Sequence, residues 1–263
     1  SKTYIDADLW VSPDDVKDAE EALIDLGFEP TSDESGLPEW WLEHGSSWRR
    51  GRDGGKVDLH RRLHGVGVRP AVAWTLLHGT AVPHTVGGVE ALRLSDPALA
   101  FHVALHAAHH NVAEGQGIPH LNAGVEALDE TTWLAAWQLA QTLAATDMFC
   151  TGLRMTEQGT ALAQRLGIPE ITSATASLHA GHAPRTALGF EQLASSRFAM
   201  RPAILLRKTF PPSGFIRHWW PPAARNRRML LVGYLYRPLW LMKSAPAGYR
   251  AWRAARRKAS SSP

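Results

Sequence analysis

Three acidic residues have the type and spacing for metal chemistry. Asp6 and Asp8 stand two apart in Tyr4-Ile5-Asp6-Ala7-Asp8-Leu9-Trp10-Val11, and Asp58 follows in Lys56-Val57-Asp58-Leu59-His60. On a strand, residues two apart leave the same face, about 7 Å from one another along the backbone. Carboxylates so placed can converge on one divalent cation, which takes hard oxygen ligands. With the Asp58 strand beside the first, the three acids form the trio that two-metal phosphoryl or nucleotidyl transfer requires. His60 shares the face of Asp58. It reads either as a polar contact to that site or as a surface strand histidine. An Asp-x-Asp pair alone is often only a polar strand face. An acidic pair, a helix and a later strand carrying an acid, in that order, point further.

The elements that must hold these residues can be read from periodicity. Residues 4–11 alternate as a strand does. Ser12-Pro13-Asp14-Asp15 then reads as a helix start, with Val16, Ala19, Leu23 and Leu26 on the buried stripe and Gly27 as the stop. Short strands are expected around Trp40–Glu43 and Ser46–Arg50, joined by a hairpin turn near Gly45-Ser46. Asp53-Gly54-Gly55 signals a second hairpin, leading into the strand from Lys56 to Leu63. A short helix over Ala71–His78 and a ribbon over Thr85–Leu94 follow. Beyond residue 95 the pattern is mostly helical, with helices at Pro97–Asn111, Ala123–Leu128, Glu130–Ala145, Thr146–Leu166 and Leu188–Ala194. Ile168 to Ala187 reads as a loop or linker. The fold class expected is α+β: a small mixed β-sheet domain over residues 1–94, a helical domain over 95–196, and a basic, aromatic-rich region over 197–263.

On the helix from Pro97, His102, His106 and His110 recur every four residues, with His109 beside them. Imidazoles at i and i+4 can share a zinc ion, but the sequence assigns no third ligand. The alternative is packing of the helical domain against the catalytic sheet, with one histidine facing a nucleotide cleft.

Taken in order, residues 4–11, the helix ending in Leu26-Gly27-Phe28, Val57-Asp58-Leu59-His60 and Leu105-His106-Ala107-Ala108-His109-His110 resemble an uncharacterised nucleotidyltransferase family of the polymerase-β-like superfamily. The resemblance implies a nucleotidyltransferase-like domain in which Asp6 and Asp8 bind the catalytic metals, Mg²⁺ or Mn²⁺. Asp58 would be the third carboxylate and activate the acceptor, while His60, His106 and His109 would be contacts on the nucleotide side. It further implies transfer of NMP from an NTP to an unknown acceptor, with release of pyrophosphate. The superfamily places a Gly-Ser pair ahead of its acidic pair to hold the triphosphate. Here Asp6 is the sixth residue, so the domain is expected to be N-terminally incomplete and its turnover weak or absent.

Composition adds a second theme. Of the 28 Lys and Arg residues, 15 lie between Arg197 and Lys258, a stretch without Asp or Glu; the first 196 residues hold 13 basic residues against all 25 acidic ones. A basic region of this kind meets nucleic acid, an anionic membrane surface, or its own acidic body. Trp219, Trp220, Trp240 and Trp252 are interleaved with its arginines, which suits base stacking or lipid anchoring equally. Trp40, Trp41 and Trp48 are expected on the exposed face of the small sheet. The single cysteine, Cys150, excludes a disulfide framework. No apolar run is long enough to cross a bilayer, and a cytoplasmic location is expected. A catalytically silent module that binds RNA, DNA or an anionic membrane is the alternative to the enzyme.

Overall fold

The computed structural model describes residues 7–31, 45–114, 117–181 and 183–261, apart from the side chains of 110–114 and 261. It is mixed α+β. Asp6, Trp40 and Trp41 lie outside the described residues, as does the ring of His110. Two compact units divide the chain: Ser1–Leu63 with Gln192–Pro246, and His64–Glu191 with Ala247–Pro263.

In the first unit, β1 (Ala7–Trp10), β2 (Glu29–Pro30), β3 (Gly45–Arg49) and β4 (Lys56–His60) form a sheet of order β1-β4-β3-β2. β1 runs parallel to β4, and the other neighbours are antiparallel. The parallel pair requires a crossover, begun by α1 (Val16–Asp25). Leu23 of α1 is buried with Phe28, Trp48, Val57 and Leu59, and Ala19 packs against them. Leu26, expected on the buried stripe, is instead exposed: the helix ends at Asp25, and Gly27 turns the chain away with φ +80°.

Two further expectations for this sheet are corrected. Gly45-Ser46 is not a hairpin turn but the start of β3, with Gly45 opposite His60 and Ser46 opposite Leu59. Trp48 does not cover an exposed face; it is buried under α1, and its Nε1 donates to Ser46 Oγ at 2.9 Å. The Asp53-Gly54-Gly55 turn forms as read, with Arg50 N donating to Gly55 O and Asp53 accepting from Gly55 N.

The basic stretch in this unit is helical: α10 (Arg201–Thr209), α11 (Ser213–Trp219) and the first part of α12 (Arg227–Ser261). Phe215, Ile216 and Ala223 make its core, joined by Trp219, Trp220 and Tyr234. Arg237 is buried among aromatic rings, with its guanidinium carbon 4.5 Å from the Phe215 centroid and 4.6 Å from that of Trp219, and its Nε donates to Lys208 O. Burial pushes Arg237 down to about 10, so it remains a cation at neutral pH, held by π-faces and a carbonyl.

The second unit is built around α3 (Asp96–Glu114), which packs on α4 (Gly117–Ala127), α5 (Glu130–Thr142), α6 (Thr146–Leu153) and α8 (Ala174–Ala180). Phe101, Trp133 and Phe149 fill its core. The close approach of α3 and α6 depends on Gly152, where an added Cβ would lie 1.8 Å from Ala104 O. α2 (Pro70–His78) and a ribbon of β5 (Val82–Val86) and β6 (Val89–Arg93) belong to this unit. The expected single helix over 146–166 is broken into α6 and α7 (Glu157–Arg165), because Thr156 caps α7 by accepting from Gly159 N. The expected linker of residues 168–187 contains α8, capped by Ser173, and the start of α9 (Arg185–Ser195). Gly248 of α12 lets that helix press on Thr186, and Glu191 accepts from Arg256 Nε at 2.9 Å and from Trp252 Nε1 at 2.8 Å. Trp219, Trp240 and Trp252 are thus engaged within the chain, Trp240 through an edge contact with Trp219.

Candidate active site

In Lys56-Val57-Asp58-Leu59-His60, the alternation is resolved by burial. Val57 is 7% exposed and Leu59 1%, both beneath α1, which turns Asp58 and His60 to the opposite face. β1 lies beside this strand in parallel register: Asp8 pairs with Asp58 and Trp10 with His60. Residues paired across adjacent strands share a face, on backbones about 4.8 Å apart. Two of the three predicted carboxylates, Asp8 and Asp58, are therefore neighbours on one face through the strand register.

The Nε2 of His60 stands 2.9 Å from Asp8 Oδ1. That bond orients the Asp8 carboxylate, whose side chain is 61% exposed while that of His60 is 19% exposed. Gly45 makes room for the ring: a Cβ there would come within 3.1 Å of His60 Nδ1 and 2.8 Å of Leu59 O. On the far side of β4, Ser47 pairs with Asp58 and Arg49 with Lys56. One face thus carries Asp8, Asp58 and Ser47 in a single row, with His60 in the next and two cations at Arg49 and Lys56. No motif in the sequence marks Ser47, Arg49 or Lys56 as part of this face. Their place depends on the β3–β4 register, which no spacing in the chain announces.

The donor set suits hard cations. Asp8 and Asp58 offer oxygen ligands side by side, the chemistry that Mg²⁺ and Mn²⁺ select.

The other predicted residues lie in the second unit. His106 has His102 and His120 as ring neighbours, at centroid distances of 5.8 and 5.9 Å. His109 instead lies against His64 at 3.6 Å, with His179 at 5.6 Å. His106 and His109 of the Leu105–His110 motif therefore belong to different clusters. Burial pushes the His179 imidazole below its ordinary value.

A family model described as an uncharacterised nucleotidyltransferase matches residues 2–160. The chain belongs to this family. No curated protein and no solved structure matches it. The span matched to the uncharacterised nucleotidyltransferase family contains the whole Asp8, Asp58, His60 and Ser47 face, together with His64, His106 and His109. His179 and the basic region lie beyond it.

Proposed function

We propose that the Asp8–Asp58 face is the catalytic centre of a metal-dependent nucleotidyltransferase that moves NMP from an NTP to an acceptor and releases pyrophosphate. The observation that carries this reading is the in-register pairing of Asp8 with Asp58, backed by the His60–Asp8 bond, within a chain of this family. Asp6, Asp8 and Asp58 would hold Mg²⁺ or Mn²⁺, which when bound neutralises the triphosphate and lowers the pKa of the attacking hydroxyl. Asp58, on the central strand, takes the acceptor's proton. His60 keeps Asp8 in its orientation. Ser47, Arg49 and Lys56 supply a hydroxyl and two positive charges on the same face, the groups a triphosphate needs to be held for in-line displacement.

The test is Mn²⁺ binding followed by electron paramagnetic resonance, alongside a screen of radiolabelled NTPs for pyrophosphate release. Asp8→Asn and Asp58→Asn should each weaken Mn²⁺ binding at least tenfold and abolish any release. Binding as tight as in the unaltered protein would end this reading.

A second reading rests on α12. Leu231, Leu235, Leu239 and Met242 are 65%, 74%, 59% and 63% exposed, spaced four, four and three residues apart. Such an apolar stripe in a region of Lys and Arg without a single acid suits the headgroup layer of an anionic membrane. It suits nucleic acid less, because the tryptophans that would stack on bases make contacts inside the chain. In this reading the basic region attaches the protein to an anionic lipid surface, whether or not the Asp8–Asp58 face is catalytically silent. Flotation with vesicles containing phosphatidylserine, but not with neutral ones, is the expected result; duplex or single-stranded RNA binding of equal strength would favour nucleic acid instead.

A further inference from the structure

We propose that His64, His109 and His179 form a transition-metal site in the second unit, with zinc as its natural occupant and a fourth position open to water or an anionic oxygen ligand. This assignment is independent of the carboxylate face and uses a different donor chemistry. It makes His109 a metal ligand rather than a contact for the nucleotide.

The geometry is that of a ligand set. One ring nitrogen from each of the three histidines lies within 4.8 Å of the others, and among the described residues this is the trio of metal-competent side chains that converges. Around zinc, with Zn–N bonds of about 2.0–2.1 Å, tetrahedral nitrogens stand about 3.4 Å apart. Ring rotation would have to bring the three to that spacing. The rings are already packed on one another, with His64 centred 3.6 Å from His109 and 4.7 Å from His179. All three are partly buried, so ligands are sheltered while one side stays reachable. Imidazole nitrogen is a borderline-soft donor that favours zinc, nickel, copper or iron over magnesium.

The frame around the trio is stiff. His64 precedes Gly65, at φ +78°, where an added Cβ would lie 2.8 Å from Met148 Cγ. His109 stands on α3, the central helix of the unit. His179 stands on α8, whose N-cap Ser173 accepts from Ala176 N and donates to Asp147 of α6. Three elements anchored to the same helices α3 and α6 hold the ligands in place before a metal arrives. The His102–His106–His110 periodicity does not reveal these partners. The ligands that meet His109 come from residues 45 positions before it and 70 after it, beyond any helical repeat.

The experiment uses the full chain freed of metal by chelation and titrated with Co²⁺, whose visible absorption reports four-coordinate nitrogen sites, followed by displacement with Zn²⁺. The unaltered protein should bind one Co²⁺ per chain with that absorption and release it to Zn²⁺ but not to Mg²⁺. His64→Ala, His109→Ala and His179→Ala should each weaken binding by about 100-fold or more. His102→Ala, and Asp8→Asn in the other unit, should leave it unchanged. Absence of Co²⁺ absorption in the unaltered protein overturns the proposal, and that result does not depend on any variant folding. Loss of absorption in His102→Ala, with the trio variants folded by circular dichroism and still binding, overturns it equally.

Discussion

His60 bonds Asp8 across two strands at 2.9 Å, although the register sets Asp8 opposite Asp58 and His60 opposite Trp10. The bond runs diagonally and fixes one oxygen of the carboxylate. Removing the ring in His60→Ala takes this restraint from Asp8, and Mn²⁺ affinity and nucleotide transfer should fall about 10–100-fold. His60→Gln, which keeps a donor, should recover part of the loss. Unchanged Mn²⁺ affinity in His60→Ala would reduce the bond to a strand contact.

Glu191 ties α9 to the end of α12. Its hydrogen bonds from Arg256 and Trp252 hold the carboxyl below its ordinary value of 4.5. A carboxylate with a depressed folded value contributes stability above the unfolded value and loses it as pH falls through the folded one. Glu191→Gln should therefore cost about 1–2 kcal/mol at neutral pH and progressively less below about pH 4.5. Melting temperatures of both proteins from pH 7 to pH 3 measure this. Parallel curves down to pH 3 would exclude the linkage.

Gly152→Ala drives a methyl into Ala104 O, where only 1.8 Å is available. The helices α3 and α6 must part, at a cost of about 1–3 kcal/mol, or roughly 2–4 °C of melting temperature for each kcal/mol. Gly51→Ala, with nothing within 4 Å of the new Cβ, is the matched control and should melt as the unaltered protein does.

The α12 stripe predicts a separation of charge from apolar contact. Leu231→Ser, Leu235→Ser and Leu239→Ser together should reduce vesicle flotation at least tenfold while leaving the helix content intact, since these side chains are mostly exposed. Flotation unaltered by the triple change, but abolished by salt, would assign attachment to charge alone.

Most of the first sheet could be read in the chain because alternation declares a strand's faces. Asp58 and His60 were assigned to one side by Val57 and Leu59, and burial agrees. What alternation cannot declare is register, and register alone sets Ser47 beside Asp58 and Gly45-Ser46 within β3. The same limit applies to the histidines. Periodicity sees neighbours on one helix, whereas His64 and His179 reach His109 only through packing. In the basic region, interleaved Trp and Arg suggested an outward surface. Instead, Arg237 shows that cation–π contacts can serve a core, leaving the leucines of α12 outside.

The absence of Asp and Glu after Glu191 has an electrostatic corollary. From residue 192 onward the sequence has no carboxylate side chain and a single histidine, His218. Acidification discharges the carboxylates of the rest of the chain, yet it can only add to the positive sign of this region. The polarity between the two portions is therefore graded by proton concentration from one end alone, with the cationic end acting as a fixed pole.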